Sequence, residues 1–337
     1  MCPSGIVDRN ICEVTTMANK VKLVLGTMTF GESVFQPDVE AFIKAFLDAG
    51  YDELDTAYVY NEGRCEWLVG EALKAVDRGK VKVATKVNPR ISGKLDAQAA
   101  YKQLNESLER LRLNYVDVFY LHFPDPQTPV HSVLEACGEL HRQGKFKELG
   151  LSNFPAWMVA DVWHTCKANG WVQPTVYEGI YNPLTRKAET ELKAALEHFG
   201  MRFYAYNPLA GGLLTGRYAR FDDAPTDGRF THRPNYQGRY WKKSYFDAVQ
   251  LLKAACEKQG ITTIEATYRY LAYHSMLAAG SGNAIIIGAS KLDHLRQNME
   301  AIKAGPLPEM LVQAFEQAWS LCKADSPEYF TLYKGAK

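Results

Sequence analysis

Charge of one sign is the first thing this 337-residue chain has little of: 39 basic side chains stand against 38 acidic ones, a formal net charge of +1. So even a balance offers no broad field for nucleic acid or an anionic membrane surface, and any anion has to be held by local groups. Long apolar runs are missing as well. No stretch has the length of a membrane span, and residues 1–20 mix Asp8, Arg9, Glu13 and Lys20 with small residues where a leader needs an apolar segment. That segment is expected to be a loosely ordered tail ahead of a single domain over residues 21–337. The seven cysteines are scattered and never form a C-x-x-C pair, which argues against a disulfide framework or zinc knuckle and for a reducing cytoplasm. The eight histidines show no H-x-H or H-E-x-x-H spacing and the acids do not cluster, so no metal is expected.

What is present is an ordinary globular composition, 47% hydrophobic and 23% charged, enough to bury a large core. Short β-branched or apolar runs alternate with helical patterns along the whole chain, the mark of parallel βα units. Eight such runs are expected as strands: Val21–Leu25, Glu53–Thr56, Val81–Thr85, Val116–Leu121, Phe146–Leu151, Thr175–Glu178, Phe203–Tyr206 and Ala284–Ile287. Between them lie stripes at three- and four-residue spacing, such as Val39, Phe42, Ile43, Phe46 and Leu47 before the closing Gly50, or Leu104, Leu108 and Leu111. Two helices, Trp241–Gln259 and Thr263–Leu277, are expected before the last strand. The connection Gly211–Tyr240, rich in Gly, Arg, Asp and Pro, is expected to be a long loop serving as lid or cofactor clamp. No G-x-G-x-x-G follows any strand, which removes the phosphate cradle of an open dinucleotide-binding sheet and leaves an α/β fold of the (β/α)8 TIM-barrel type.

Chemistry in such a barrel gathers at the C-terminal ends of the strands. Strand two ends in Asp55 with Tyr60 just beyond it, strand three reaches Lys86, and strand four reaches His122. Taken singly, each has a bland reading as a surface or core residue. Together, at three consecutive strand ends, they compose an acid: Lys86 would lower the pKa of the Tyr60 phenol, Asp55 would hold Lys86 charged, and His122 would position a carbonyl.

With these residues in place, the chain resembles the aldo-keto reductases, and within them the aflatoxin aldehyde reductase branch. The resemblance is carried by Leu25-Gly26-Thr27-Met28, Leu54-Asp55-Thr56-Ala57 with Tyr60, Ala84-Thr85-Lys86, Leu121-His122 and Gly150-Leu151-Ser152-Asn153-Phe154. It continues through Tyr206 to Gly216 and Ile287-Gly288-Ala289-Ser290. It implies NADPH-dependent reduction of aldehydes, dialdehydes or semialdehydes among them, in a cytoplasmic homodimer.

For the cofactor the resemblance implies Thr27, Met28 and Asp55, a carboxamide held by Ser152, Asn153 and Glu178, and a nicotinamide stacked on Tyr206. The pyrophosphate would lie along Asn207, Pro208, Leu209, Ala210, Gly211, Gly212, Leu213, Gly216 and Arg217, with Arg229 beyond. The adenosine end would meet Gly288, Ala289, Ser290, Lys291, Gln297 and Asn298, where a helix N-terminus and a cation favour the phosphate of NADPH. Substrate would face Tyr60, His122, Tyr236 and Arg239. Two departures stand out: Glu178 where the family has glutamine, and Thr331 where the branch has an arginine after Tyr-Phe. Two rival readings of the same residues are a Schiff-base aldolase using Lys86 and an NADPH-binding regulatory subunit without turnover.

Overall fold

The computed structural model describes residues 21–335 apart from 219, 224, 227 and 279–281, so the expected N-terminal tail lies outside the described residues. Eight parallel strands close into a barrel in chain order. They are β1 (Lys22–Gly26), β2 (Glu53–Asp55), β3 (Lys82–Val87), β4 (Val116–Leu121), β5 (Phe146–Ser152), β6 (Pro174–Ile180), β7 (Arg202–Tyr206) and β8 (Ala284–Ile287). Closure is direct, with Leu23 of β1 opposite Ile285 of β8. The fourth and eighth strands have the expected bounds, and the others move by one or two residues at one or both ends, because ladder hydrogen bonds, which composition does not encode, decide where pairing stops.

The outer ring is built from α1 (Asp38–Asp48), α2 (Arg64–Leu73), α3 (Ala97–Leu111), α4 (Val130–Arg142), α5 (Ala156–Ala168), α6 (Leu192–His198), α7 (Lys243–Lys258), α8 (Thr263–Tyr273), α9 (Leu292–Ala301) and α10 (Glu309–Cys322). Local chemistry sets the helix ends. The Asp96 side chain accepts from the Ala99 N–H to start α3, and the Thr262 hydroxyl accepts from Glu265 to start α8. Past α1, Gly50 takes φ +87°, a conformation that stops the helix at no steric cost. No helix among the described residues is long and apolar enough to cross a membrane. The five described cysteines, Cys65, Cys137, Cys166, Cys256 and Cys322, are buried and unpaired.

Strand alternation sorts the side chains into two sets. Leu25, Leu54, Val83, Phe119, Leu149, Tyr177, Phe203 and Ile285 belong to the large core against the helices, whereas Val24, Ala84, Val118, Tyr120, Val176, Tyr204, Ala284 and Ile286 fill the barrel itself. Because side chains repeat every two residues, Lys86 shares its face with Ala84, and Glu178 shares its face with Val176. Both therefore project into the barrel one layer above its apolar plug, and both are buried.

The segment after β7 departs from the expected loop. Ala210–Thr215 forms 3-10 turns interrupted where Gly211 and Gly212 take positive φ, and Arg229–His232 and Pro234–Tyr240 form two short helices. Aromatic contacts organise it: Phe230 and Trp241 rings meet at 5.0 Å, and Trp241 meets Phe246 of α7 at 4.9 Å. Arg233 then reaches across to Glu32 at 3.0 Å and Asn61 at 3.2 Å, fastening the excursion to the loops after β1 and β2.

Candidate active site

Four side chains from consecutive strand ends meet at the top of the barrel. The Lys86 ammonium donates to Asp55 Oδ1 at 2.5 Å and to the Thr56 carbonyl at 2.8 Å. It lies 5.2 Å from the centre of the Tyr60 ring, and that ring meets the His122 imidazole edge-on at 6.0 Å. Lys86 is fully buried and Asp55 and His122 nearly so, so charges here act through a drier medium than water.

Burial pulls the Lys86 ammonium toward neutrality, but Asp55 and Glu178 outweigh it and the net shift is upward, so Lys86 stays charged. The Tyr60 phenol shifts opposite to expectation. Loss of water raises it well above the usual tyrosine range, and the opposing pull of Lys86 is smaller. Tyr60 therefore holds its proton at neutral pH. His122 is driven well below the usual histidine range by burial, then by Lys86 and by Arg90.

Asn88, a residue the sequence reading passed over, selects the His122 tautomer. Its side-chain oxygen accepts from the Arg90 N–H at 3.0 Å, which leaves its amide nitrogen to donate to His122 Nδ1 at 3.2 Å. The neutral ring then carries its hydrogen on Nε2, available to donate. Asn88 is steadied by Gln103, which accepts from its backbone N–H at 2.9 Å and donates to its carbonyl at 3.1 Å. The signal in the sequence was parity: Asn88 follows Lys86 by two and continues the same inward face.

Glu178 joins this cluster rather than standing apart. Its Oε2 is 3.3 Å from Lys86 Nζ, although that oxygen makes no hydrogen bond. Across the barrel, Asn153 at φ +63° donates to the His122 carbonyl at 3.0 Å and to Ser152 Oγ at 2.9 Å, and it accepts from the Tyr206 hydroxyl at 2.7 Å. Tyr206 is thus pinned at the end of β7 beside Glu178.

A model of the aldo/keto reductase family matches residues 22–320. The chain is 45% identical over 323 residues to the human aflatoxin B1 aldehyde reductase member 2, covering 92% of this chain and 90% of that protein. It is also 45% identical over 318 residues to the human aldo-keto reductase family 7 member A3, at 91% and 96% coverage. Oxidoreductase sirO of Leptosphaeria maculans is more distant, 34% identical over 325 residues at 91% and 96% coverage. The chain belongs to the aldo/keto reductase family.

Aldo/keto reductases are oxidoreductases that work with nicotinamide cofactors, generally NADPH, and reduce carbonyl groups. The strand ends beside the four clustered residues in this aldo/keto reductase have features that fit such a group. Two buried polar atoms there make no hydrogen bond, Glu178 Oε2, which has only its ion pair with Lys86, and Asn207 Nδ2. Gly212 takes φ +104°, and a Cβ on it would meet nothing within 4 Å, so its backbone borders open space that a pyrophosphate can approach. Asn207 and Ala210 also take positive φ, at 59° and 50°, while Pro208 and Leu213 are buried and anchor the turn. Past β8, Lys291 is the N-cap of α9 and makes no side-chain cap hydrogen bond, leaving the helix's first N–H groups available to an anion. Gly288 and Ser290 are exposed just before it, Ala289 is buried with its carbonyl accepting from Thr29, and Gln297 is exposed while Asn298 is buried.

The remaining expected residues take mixed places. Thr27 is fully buried, its hydroxyl donating to the Asp55 carbonyl at 2.9 Å, so it braces Asp55 from behind. Met28 is half-buried, and its carbonyl accepts from Asn61. Leu209 and Gly216 are half-buried, Arg217 stacks on Tyr218 at 4.6 Å, and Gly211 abuts Tyr236. Tyr236 is buried; its hydroxyl donates to Asn207 Oδ1 at 3.2 Å and accepts from Arg229 at 3.4 Å, and its ring lies under both Arg229 and Arg239. Arg90 was not anticipated. Exposed overall, it lies over the Phe123 ring at 4.1 Å, and partial loss of water followed by Arg239 nearby presses its pKa downward. Neither Arg90 nor Arg239 is paired with a carboxylate among the described residues.

Proposed function

We propose that this aldo/keto reductase reduces aldehydes with NADPH, Tyr60 delivering the proton to the carbonyl oxygen. NADPH, when bound, supplies the hydride. The observation that carries the reading is geometric: the half-buried Tyr60 ring has the buried Lys86 ammonium 5.2 Å from its centre and the buried His122 imidazole edge-on at 6.0 Å. His122 Nε2–H hydrogen-bonds the carbonyl oxygen and aims it at Tyr60. As negative charge develops on that oxygen, Tyr60 gives up its proton, and Lys86, held by Asp55 and the Thr56 carbonyl, stabilises the phenolate left behind. The cost of an anion in this dry site is thereby offset at the moment it forms.

The rim supports a preference for aldehydes that carry a second, anionic group. Arg90 and Arg239, both without a carboxylate partner among the described residues, suit the remote carboxylate of a semialdehyde. The two rival readings are disfavoured by the same cluster. A Schiff-base lysine must lose its charge, yet Asp55 and Glu178 keep Lys86 protonated. A barrel that only binds NADPH has no need of a proton donor fixed in this way.

Tyr60→Phe tests the assignment. Fluorescence titration is expected to give nearly unchanged NADPH binding, while turnover of an aromatic aldehyde falls at least about a hundredfold, the scale of a positioned general acid. Undiminished turnover in that variant overturns the role of Tyr60, and tight NADPH binding without turnover in the wild type supports the regulatory reading instead.

A further inference from the structure

One ammonium in this barrel serves two carboxyl groups. Lys86 Nζ lies 2.5 Å from Asp55 Oδ1 and 3.3 Å from Glu178 Oε2, and all three side chains are buried. The groups that face Glu178 are Asp55 from β2, Tyr60 from the turn after it, Lys86 from β3, Tyr120 from β4 and Tyr206 from β7. Its neighbour in register on β5 is Ser152, which carries no charge, and His122 is neutral. With both carboxyls ionised the cluster is left with one uncompensated negative charge away from water; with one proton added it is neutral. Asp55 has the shorter contact with Lys86, so the proton belongs on Glu178. Burial, and then Asp55, push the Glu178 carboxyl up to about 8. A glutamine here, as the family resemblance leads one to expect, has no proton to exchange.

We propose that Glu178 makes cofactor binding in this chain proton-linked: the carboxyl is protonated in the free protein and beside NADPH, and gives its proton to solvent when NADP+ binds. The inference rests on the reading that the nicotinamide seats beside Tyr206 and Glu178. The physical reason is charge. The ring of NADPH is neutral and leaves the cluster neutral, whereas the ring of NADP+ is cationic and is compensated by an ionised Glu178, the released proton passing to buffer. Acid conditions then weaken the hold on spent cofactor relative to fresh cofactor and favour their exchange.

The test is calorimetric titration of NADPH and NADP+ into the wild type and Glu178→Gln across about pH 6 to 8. Where one proton is linked, the ratio of the NADP+ to the NADPH dissociation constant falls by up to about tenfold per pH unit. The expected result is a steep fall in the wild type, a flat ratio in Glu178→Gln, and a wild-type proton release near one for NADP+ beyond that for NADPH, read from buffers of different ionisation enthalpy. The 2′-phosphate titrates alike in both cofactors and cancels in the ratio. A flat ratio in the wild type, or an equal slope in Glu178→Gln, overturns the inference while leaving the cofactor reading intact. Failure of the wild type to bind either cofactor overturns both.

Discussion

Lys86→Met replaces the buried ammonium by an apolar chain of similar length and leaves Asp55 and Glu178 facing each other without a cation. In the wild type burial raises both carboxyls, but Asp55, with Lys86 at 2.5 Å against 3.3 Å for Glu178, is the one the ammonium holds ionised, while Glu178 keeps a proton up to about pH 8, against a usual glutamate value of 4.5. A carboxyl whose pKa is raised on folding binds a proton in the folded state that the unfolded chain has already lost. Its contribution is therefore present at acid pH and disappears as pH rises through the folded pKa. In Lys86→Met both carboxyls need a proton, one more than in the wild type, so stability falls more steeply with pH. The difference in slope is about 1.4 kcal/mol per pH unit, roughly 2.7 kcal/mol between pH 5 and 7. At neutral pH the total loss is expected near 3–5 kcal/mol, the scale for orphaning one side of a buried ion pair. Urea unfolding at half-unit pH steps measures both quantities. Glu53, also raised, to about 7, is common to both proteins and drops out of the difference. Parallel stability curves, or a loss under about 1 kcal/mol, would refute the shared-proton argument.

Two further outcomes follow from the rim and the wall of the barrel. Replacing Arg90 and Arg239 together by alanine is expected to raise KM for a carboxylate-bearing aldehyde by at least about tenfold per lost charge-assisted contact, with little change for a neutral aromatic aldehyde; equal effects on both substrates would remove the arginines from substrate recognition. Gly150→Ala is expected to cost about 1–3 kcal/mol in urea unfolding, because its Cβ would sit 2.3 Å from Cδ1 of the buried Tyr120 ring, which has no room to turn. Unchanged stability in that variant would mean the β4–β5 wall yields more readily than its packing indicates.

Much of the architecture was legible because it is periodic. Alternating short apolar runs and helical stripes repeat eight times, and a parallel strand buried on both faces has few ways to be written other than as runs such as Val116–Leu121 or Ala284–Ile287. Asp55, Tyr60, Lys86 and His122 were legible for the same reason, since each is a polar residue at a strand end in a chain whose strands could be counted. The segment after β7 was misread as irregular. Its two short helices are held by rings far apart in sequence, Phe230, Trp241 and Phe246, and by the Arg233 link to Glu32, and no local pattern announces such contacts. Arg90 went unnoticed for a similar reason: its chemistry exists only where Arg239 approaches it from the distant short helix Pro234–Tyr240.

By itself the sequence determined the barrel, its order of strands and the inventory of groups at its mouth, because these depend on spacing along one chain. Only the tertiary structure decided their protonation. Tyr60 keeps its proton, His122 stays neutral on the tautomer chosen by Asn88, and Glu178 shares Lys86 with Asp55, because burial and distances of a few ångströms, which act across strands, set the charge of each group.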